Sequence, residues 1–200
     1  MPVDEASTPL ADGPAAHQTA LLVIDMLSDW RFPDAEPLLK QAQLAAPRIA
    51  ALKARCKAVG IPTVYVNDNQ GRWRSDCRSL VQEVLQGEGA AADICRTLQP
   101  ESDDYFVLKP KHSGFYETPL HLLLQHLHVT RLILTGVSTE HCILMTASDA
   151  HMRDFDVACP QDCIASGKAR QHERTLEHLA DTLRMSVVPS ERLDLAAIGR

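Results

Sequence analysis

The chain has 200 residues, 45% of them hydrophobic, and a formal net charge of −6. This length fits one domain with a full hydrophobic core. No basic block rises above the acidic background, so no nucleic-acid partner is expected. The longest apolar runs, such as Leu21–Ile24 and Leu132–Leu134, are far too short to cross a bilayer, so no membrane partner is expected either.

The first 18 residues are rich in Ala and Pro and lack both a basic stretch and the apolar segment of a signal peptide. They predict a flexible N-terminal tail over residues 1–18, followed by one folded domain over residues 19–200. The chain also contains six cysteines. Without a secretion signal, these predict reduced thiols and a cytoplasmic location.

Six short apolar segments have strand character, and stretches of helical length separate most of them. Their hydrophobicity is continuous rather than alternating, which is typical of strands buried on both faces of a parallel sheet. The segments are Ala20–Asp25, Thr63–Asp68, Tyr105–Lys109, Arg131–Gly136 and, with weaker patterns, Phe155–Cys159 and Met185–Val188 as the fifth and sixth strands.

Helical patterns fill most of the gaps. A long helix is predicted from Glu36 to Val59, with Pro47 splitting or kinking it and Gly60 ending it. The alternation of strands and helices predicts a single-domain α/β fold, namely a doubly wound, Rossmann-like, six-stranded parallel sheet with helices on both faces. The further predicted helices are Ala90–Leu98, Pro119–Leu127, Glu140–Met152 and Ala169–Leu183.

Polar residues follow several of the predicted strands. Ligands of open parallel sheets bind beyond the carboxyl ends of the strands. Asp25, Asp68, Lys109 and the turn from Gly136 to Cys142 all lie at such ends. The fold therefore predicts that residues distant in sequence meet at one edge of the sheet.

Cys142 is the sharpest candidate for chemistry, because it lies where a strand turns into a helix. Ser138 or Thr139 is positioned to cap that helix. The positive end of the helix favours a thiolate, and nearby N–H groups are suited to an oxyanion hole. The alternative is that Cys142 is an ordinary buried thiol. His141 is expected to face away, since neighbours on a helix point about 100° apart.

Two charged residues at strand ends are candidate partners of this thiol. Asp25 is suited to act as a general base if burial raises its pKa, or it simply anchors a loop. Lys109 is suited to pair with Asp25 and the thiolate, or it is a surface lysine. On the residues alone, the neighbouring Lys111 fits this role equally well.

Three segments resemble the signature blocks of the isochorismatase-like cysteine hydrolase family, which includes nicotinamidases and N-carbamoylsarcosine amidases. They are Leu21–Met26, Lys109–Phe115 and Thr135–Cys142, in the order of the family. The resemblance extends from about Thr19 to at least Ser166. It implies a six-stranded parallel sheet and an isochorismatase-like hydrolase domain over residues 19–200.

The resemblance also implies roles for particular residues. The catalytic triad becomes Asp25, Lys109 and Cys142, because the family pattern selects Lys109 over Lys111. A cis peptide bond is implied between Val137 and Ser138, and the N–H groups of Ser138 and Cys142 would form the oxyanion hole. Members of the family commonly form homo-oligomers, so a dimer or tetramer is expected.

One departure from the family concerns metal binding. Nicotinamidases of this fold carry an Asp-x-His metal motif and a further histidine after the second strand. The corresponding segment Asn67–Arg74 has no histidine, and Asp68 is its one strong ligand, whereas a zinc site needs three or four. We therefore predict no metal and no cofactor, and nicotinamide becomes a less favoured substrate.

Side chains near the same edge are candidates for substrate binding. An arginine of the loop after the second strand is suited to hold a carboxylate, although the loop is equally compatible with solvation or a subunit contact. An aromatic residue in these places lines a pocket or simply packs in the core. The predicted substrate-binding residues are Asp68, Arg72, Trp73, Arg74, Phe115 and Trp30.

The sequence thus predicts a metal-independent cysteine hydrolase that cleaves a small amide-like C–N bond through an acyl-enzyme on Cys142. Asp25 acts as base and Lys109 stabilises charge. One alternative is an isochorismatase-type hydrolase of a small carboxylated metabolite, although isochorismatases proper do not rely on a nucleophilic cysteine here. Two others are a thiol redox protein pairing Cys142 with Cys159 or Cys163, and an idle binding module. Neither the substrate nor the leaving group follows from the sequence.

Overall fold

The computed structural model describes residues 18–69, 71 and 77–195, so nearly all of the predicted tail over residues 1–18 lies outside the described residues. In the described part of the chain, six strands form one sheet. They are β1 (Thr19–Ile24), β2 (Thr63–Asp68), β3 (Tyr105–Lys109), β4 (Arg131–Val137), β5 (Asp156–Ala158) and β6 (Ile164–Ala165).

Helices connect most of these strands. Two π-helical turns, Thr139–Ile143 and His178–Thr182, precede α5 and follow α6, and a 3₁₀ turn spans Ser190–Arg192. The helices are α1 (Ala35–Ala58), α2 (Cys77–Leu85), α3 (Ala90–Thr97), α4 (Leu120–His126), α5 (Leu144–His151) and α6 (Ala169–Glu177).

Every strand pair of the sheet is parallel, and the strand order is β3-β2-β1-β4-β5, with β6 pairing beyond β5 at the end of β4. The chain therefore winds outward from β1 to β3 and then returns to the other side of β1. This reversal places a topological switch point between β1 and β4, where a crevice opens beyond the carboxyl ends of the strands.

Both faces of the sheet are covered, as continuous hydrophobicity predicts. Leu21 and Val23 of β1 pack against α1 and α3 on one face. Leu22 and Ile24 pack against residues of α4 and α5 on the other face. The doubly wound, single-domain α/β fold with a six-stranded parallel sheet is thus confirmed.

The predicted sixth strand is wrong. Met185–Val188 makes a single bridge, from Ser186 to Ala158 of β5. The carbonyls of Ser186 and Val187 accept N–H bonds from Cys159 and Gln161, whereas the Met185 N–H donates to the Leu179 carbonyl. The three residues of β5 offer too short an edge for a longer ladder. The sixth strand is instead Ile164–Ala165, which is too short to give a strand signal of its own.

Two helical predictions also need correction. α1 runs without interruption through Pro47, which is exposed on the helix surface, so the prediction that Pro47 splits the helix is wrong. Proline has no N–H, so the carbonyl one turn earlier lacks its partner within the helix. At an exposed position, water can bond to that carbonyl instead. Helix α2 was not predicted, although the spacing of Leu80, Val81, Val84 and Leu85 is helical.

Candidate active site

Asp25 directly follows β1 and is held by the backbone around it. Its φ is 54°, its N–H donates to the Val66 carbonyl at 3.0 Å, and its Oδ1 accepts the Asp68 N–H at 2.7 Å. Its side chain is 15% exposed. The carboxylate therefore has a fixed orientation at the crevice between β1 and β4.

Lys109 ends β3, two strands away from β1. Neighbouring strands lie about 4.8 Å apart, so a long side chain is needed to span β2. Its Nζ lies 2.9 Å from Asp25 Oδ2 and 3.4 Å from Cys142 Sγ, and it donates to the Lys111 carbonyl at 3.1 Å. Lys109 is completely buried whereas Lys111 is exposed, so it is the Lys109 side chain that contacts the two other predicted triad residues.

The turn that carries Cys142 depends on a close approach between β4 and β1. Gly136 has a φ of 112°, and a Cβ at this position would lie 2.0 Å from the Ile24 carbonyl oxygen. The peptide bond between Val137 and Ser138 is cis, at the position that the resemblance implies. Ser138 occupies the N-cap of the following π-helical turn but makes no capping bond through its side chain.

The first turn of this helix bears on the predicted oxyanion hole. The N–H groups of His141 and Ile143 donate to the Ser138 carbonyl at 3.2 and 3.1 Å. In this described turn, the Cys142 N–H lies between those two groups and donates no bond to the Ser138 carbonyl. The arrangement is compatible with an oxyanion hole at Ser138 and Cys142, whose role stays a prediction.

Burial controls the protonation of this site. Burial raises the pKa of Asp25, and Lys109 lowers it in part. Burial raises the pKa of Cys142 as well, and the negative charge of Asp25 adds to that effect. Burial lowers the pKa of Lys109, but the charges of Asp25 and Cys142 outweigh it, so that pKa is raised. Desolvation and the charge of Asp25 therefore oppose the thiolate that the helix end favours.

A cavity of about 900 Å³ opens beside these residues and reaches Asp25, Cys142, Val137 and Ser138. Of the predicted substrate-binding residues, Trp30 and Asp68 line it.

Phe115 does not line this cavity, and the prediction that it binds substrate needs correction. It is 5% exposed and packs in the core against Phe155, with Arg153 over its ring. Arg72, Trp73 and Arg74 lie outside the described residues.

Residues 19–190 match the family model described as the isochorismatase domain. The chain belongs to the isochorismatase family. Uncharacterized isochorismatase family protein YaaI of Bacillus subtilis is 37% identical over 174 residues, which cover 87% of this chain and 95% of that protein. At lower identity, Maleamate amidohydrolase of Pseudomonas putida is 26% identical over 168 residues, covering 80% of this chain and 78% of the relative.

The fold comparison agrees with this membership. The crystal structure of an isochorismatase family protein from Desulfovibrio vulgaris superposes with a TM-score of 0.71 at 25% identity, covering 90% of this chain and 98% of that one. The protein is accordingly a hydrolase of the isochorismatase family.

Metal binding is the remaining question about the chemistry of this isochorismatase-family site. Within residues 18–69, 71 and 77–195, no group of three or more His, Cys, Asp or Glu side chains is arranged to hold a metal ion. The predicted independence from metal stays a prediction.

No helix in the described part of the chain is long and apolar enough to cross a membrane.

Two histidines at the site were not predicted. His112 and His141 line the cavity with their rings stacked at 5.4 Å between centroids, and His112 Nδ1 lies 3.8 Å from Cys142 Sγ. His141 was expected to face away from Cys142. That expectation is wrong, because His141 lines the same cavity as Cys142 and stacks on His112. The feature of the sequence that could have identified His112 as a cavity residue is its position three residues after Lys109.

Proposed function

We propose that the protein is a metal-independent cysteine hydrolase that cleaves a small amide-like C–N bond through an acyl-enzyme on Cys142. One observation carries the proposal: Lys109 Nζ contacts both Asp25 and Cys142, at 2.9 and 3.4 Å, beside a cavity of about 900 Å³. A buried base, a cation and a thiol at a cavity wall are the parts that nucleophilic catalysis needs.

The first half of the reaction follows from these positions. Asp25 takes the thiol proton, and Cys142 Sγ forms a bond to the carbonyl carbon of the substrate. The raised pKa of Asp25 brings it closer to that of a useful general base. Lys109 stabilises the negative charge on sulfur. As the C–N bond breaks, Asp25 returns the proton to the leaving nitrogen, and water then releases the acid.

The thiol redox alternative receives less support. It requires a second reactive thiol, and both proposed partners, Cys159 and Cys163, are completely buried. Burial raises the pKa of each to about 12, which disfavours the thiolate that disulfide exchange needs. The geometry therefore favours hydrolysis over redox chemistry.

The activity can be tested by a screen for ammonia release from small amides and carbamoyl compounds. We expect release by the native protein, and loss of that release by a factor of 10³ or more, on the order of what removing a nucleophile costs, in Cys142→Ala. Cys95→Ala, in α3 away from the cavity, is the matched control and should keep its activity. Unchanged circular dichroism would show that both variants fold.

Two outcomes would contradict the proposal. Retained turnover in Cys142→Ala would exclude the covalent mechanism and favour an isochorismatase-type hydrolysis of a small carboxylated metabolite. Loss of activity on treatment with a chelator, restored by added metal, would exclude metal independence. A cytoplasmic location and a homo-oligomer complete the proposal; the free state of the five described cysteines fits a reducing compartment.

A further inference from the structure

Buried polar atoms without a partner lie at the cavity. Among the described residues, four buried side-chain nitrogen or oxygen atoms have no hydrogen-bond partner in the protein: Trp30 Nε1, Asn67 Oδ1, Glu140 Oε2 and His121 Nδ1. The first three belong to side chains that line the cavity. A buried polar atom that forms no hydrogen bond lowers stability, so native proteins keep few of them. Their concentration at one cavity indicates a ligand that bonds to them.

The orientation of the Asn67 amide is fixed by its other hydrogen bond. Asn67 is 2% exposed, and its Nδ2 donates to the Leu27 carbonyl at 2.6 Å. Because a carbonyl can only accept, the amide cannot be turned over, and the atom without a partner is the acceptor Oδ1. Asn67 therefore presents to the cavity an acceptor that matches an N–H group and does not match a carboxylate oxygen.

Trp30 contributes the complementary donor. It is 6% exposed, and its backbone is held at a φ of 56°, with its N–H donating to Ser28 Oγ at 3.1 Å. The indole Nε1–H can only donate a hydrogen bond. A donor at Trp30 and an acceptor at Asn67 together match a carboxamide, because that group carries both a carbonyl oxygen and N–H hydrogens.

Asn67 lies one strand away from the proposed base. The Asp25 N–H donates to the Val66 carbonyl at 3.0 Å, and Asp25 Oδ1 accepts the Asp68 N–H at 2.7 Å. These two partners are the residues on either side of Asn67. The Asp25 side chain is in turn hydrogen-bonded to Cys142. Since neighbouring strands lie about 4.8 Å apart, one small molecule can contact Asn67 and place a carbonyl at Cys142.

The charged residues of the cavity disfavour an anionic substrate. Asp29 and Glu140 line it and are partly buried, and Glu140 Oε2 is the second acceptor without a partner. The cationic side chains that line it, Arg31 and Lys168, are exposed, where water and salt screen their charge. A free carboxylate on the substrate would meet like charge and acceptor atoms, whereas the N–H groups of an uncharged carboxamide can donate to those atoms.

We propose that Asn67 and Trp30 recognise a second carboxamide and that the substrate is an uncharged diamide, an inference that rests on the proposed function. The N–H2 of the second carboxamide donates to Asn67 Oδ1, and its carbonyl accepts the Trp30 Nε1–H. The first carboxamide reacts at Cys142. Hydrolysis of its C–N bond consumes one water, releases ammonia and leaves an acid that still carries the second carboxamide.

The test measures ammonia release from malonamide, succinamide and glutaramide, which differ in the length of the linker between their two carboxamides. Each diamide is compared with the monoamide of the same chain length, namely propionamide, butyramide or valeramide. It is also compared with its half-amide, in which a carboxylate replaces the second carboxamide. We expect the native protein to prefer at least one diamide over both of its comparators by about 10-fold or more in kcat/KM, the order of magnitude that one or two hydrogen bonds contribute.

Two variants and a control separate recognition from structure. Asn67→Leu removes the acceptor, and Trp30→Phe removes the donor and keeps an aromatic ring, so either variant alone suffices if the other fails to fold. Each should lose about 10-fold in kcat/KM for the preferred diamide and keep the native value for the matching monoamide, whereas a purely structural role would lower both values. Tyr65→Phe removes the bond from the Tyr65 hydroxyl to the Leu98 carbonyl on the same strand, and should keep the native preference.

A binding measurement distinguishes the possible failures. Ligand-observed NMR titration gives the affinity of the same compounds for Cys142→Ala, which lacks the proposed nucleophile. The inference is overturned if no diamide binds more tightly than its monoamide, if a half-amide is preferred, or if Asn67→Leu and Trp30→Phe both keep the preference for the diamide. Ammonia release from monoamides in those cases would leave the proposed function intact. If the diamide binds through Asn67 but the native protein releases no ammonia, the proposed function fails and the binding site stands.

Discussion

Lys109 is a completely buried lysine whose charge is retained by its partners. Desolvation alone would lower its pKa, but Asp25 at 2.9 Å and Cys142 at 3.4 Å outweigh that effect. Removing one partner of a buried pair leaves the other charge uncompensated, at a cost of about 3–5 kcal/mol. This explains why the lysine and the aspartate belong together in one site.

The pH dependence of acylation follows from the state of Asp25. Its pKa lies above the ordinary value, so the carboxyl is already protonated at pH values where an exposed aspartate is ionised. Acylation requires the carboxylate. With p-nitrophenyl acetate as acyl donor, we therefore expect the rate of the p-nitrophenolate burst to fall as pH decreases, at pH values above those at which an exposed aspartate titrates. Lys109→Met removes a charge that lowers this pKa, so its acid limb should move to higher pH.

Lys111→Met is the control for that measurement. Lys111 is exposed and contributes only its carbonyl to Lys109, so its side chain should have no effect on the acid limb. Identical acid limbs in the native protein and Lys109→Met would contradict the assigned coupling between Asp25 and Lys109.

At the scale of elements, the contact between β4 and β1 determines where the nucleophile lies. Gly136 pairs with Ile24 across the switch point, and the turn to Cys142 begins at its φ of 112°. Substitution to alanine forces its Cβ into the Ile24 carbonyl. The position of Cys142 relative to Asp25 therefore depends on the absence of a side chain at residue 136.

We expect Gly136→Ala to lower the free energy of unfolding by more than the about 1–3 kcal/mol that an unfavourable backbone conformation costs alone. Gly89→Ala is the matched control, since Gly89 has a φ of 80° but nothing within 4 Å of an added Cβ. Urea denaturation of both variants measures the difference. Equal losses of stability would show that the clash with Ile24 is relieved by a small shift.

Elements differ in how well the sequence predicts them. The bounds of β2 and β3 agree with the prediction, because β-branched and aromatic runs ended by polar residues are local signals. β6 was assigned to the wrong segment, because two residues, Ile164–Ala165, become a strand only through their pairing with β4. Pairing of this kind depends on residues far apart in the chain.

At the scale of the whole molecule, the sheet collects the site from three strand ends. β1 and β4 flank the switch point, and β3 contributes Lys109 from two strands away. The doubly wound strand order places all three strand ends at one edge of the sheet. The fold class therefore predicts where the candidate site lies.

The expected homo-oligomer also belongs to this scale. Leu122 and Met152 are 68% and 71% exposed, and such side chains become buried when they lie in a subunit interface. We expect sedimentation velocity to give the mass of a dimer or tetramer rather than 22.1 kDa. A single monomeric species over the accessible range of concentrations would contradict this prediction.

The sequence by itself determined the class of fold and the approximate positions of five of the six strands, because hydrophobic periodicity is a local property. Asp25 and Cys142 were candidates from their places after strands, and the resemblance to the family selected Lys109 over Lys111. The tertiary structure decided the direction in which the pKa of the thiol shifts, the exclusion of Phe115 from the cavity and the position of His112 beside Sγ. These features depend on desolvation and on contacts between distant segments. A helix end favours a thiolate in isolation, but burial of Cys142 beside Asp25 outweighs it, and that burial exists only in the folded chain.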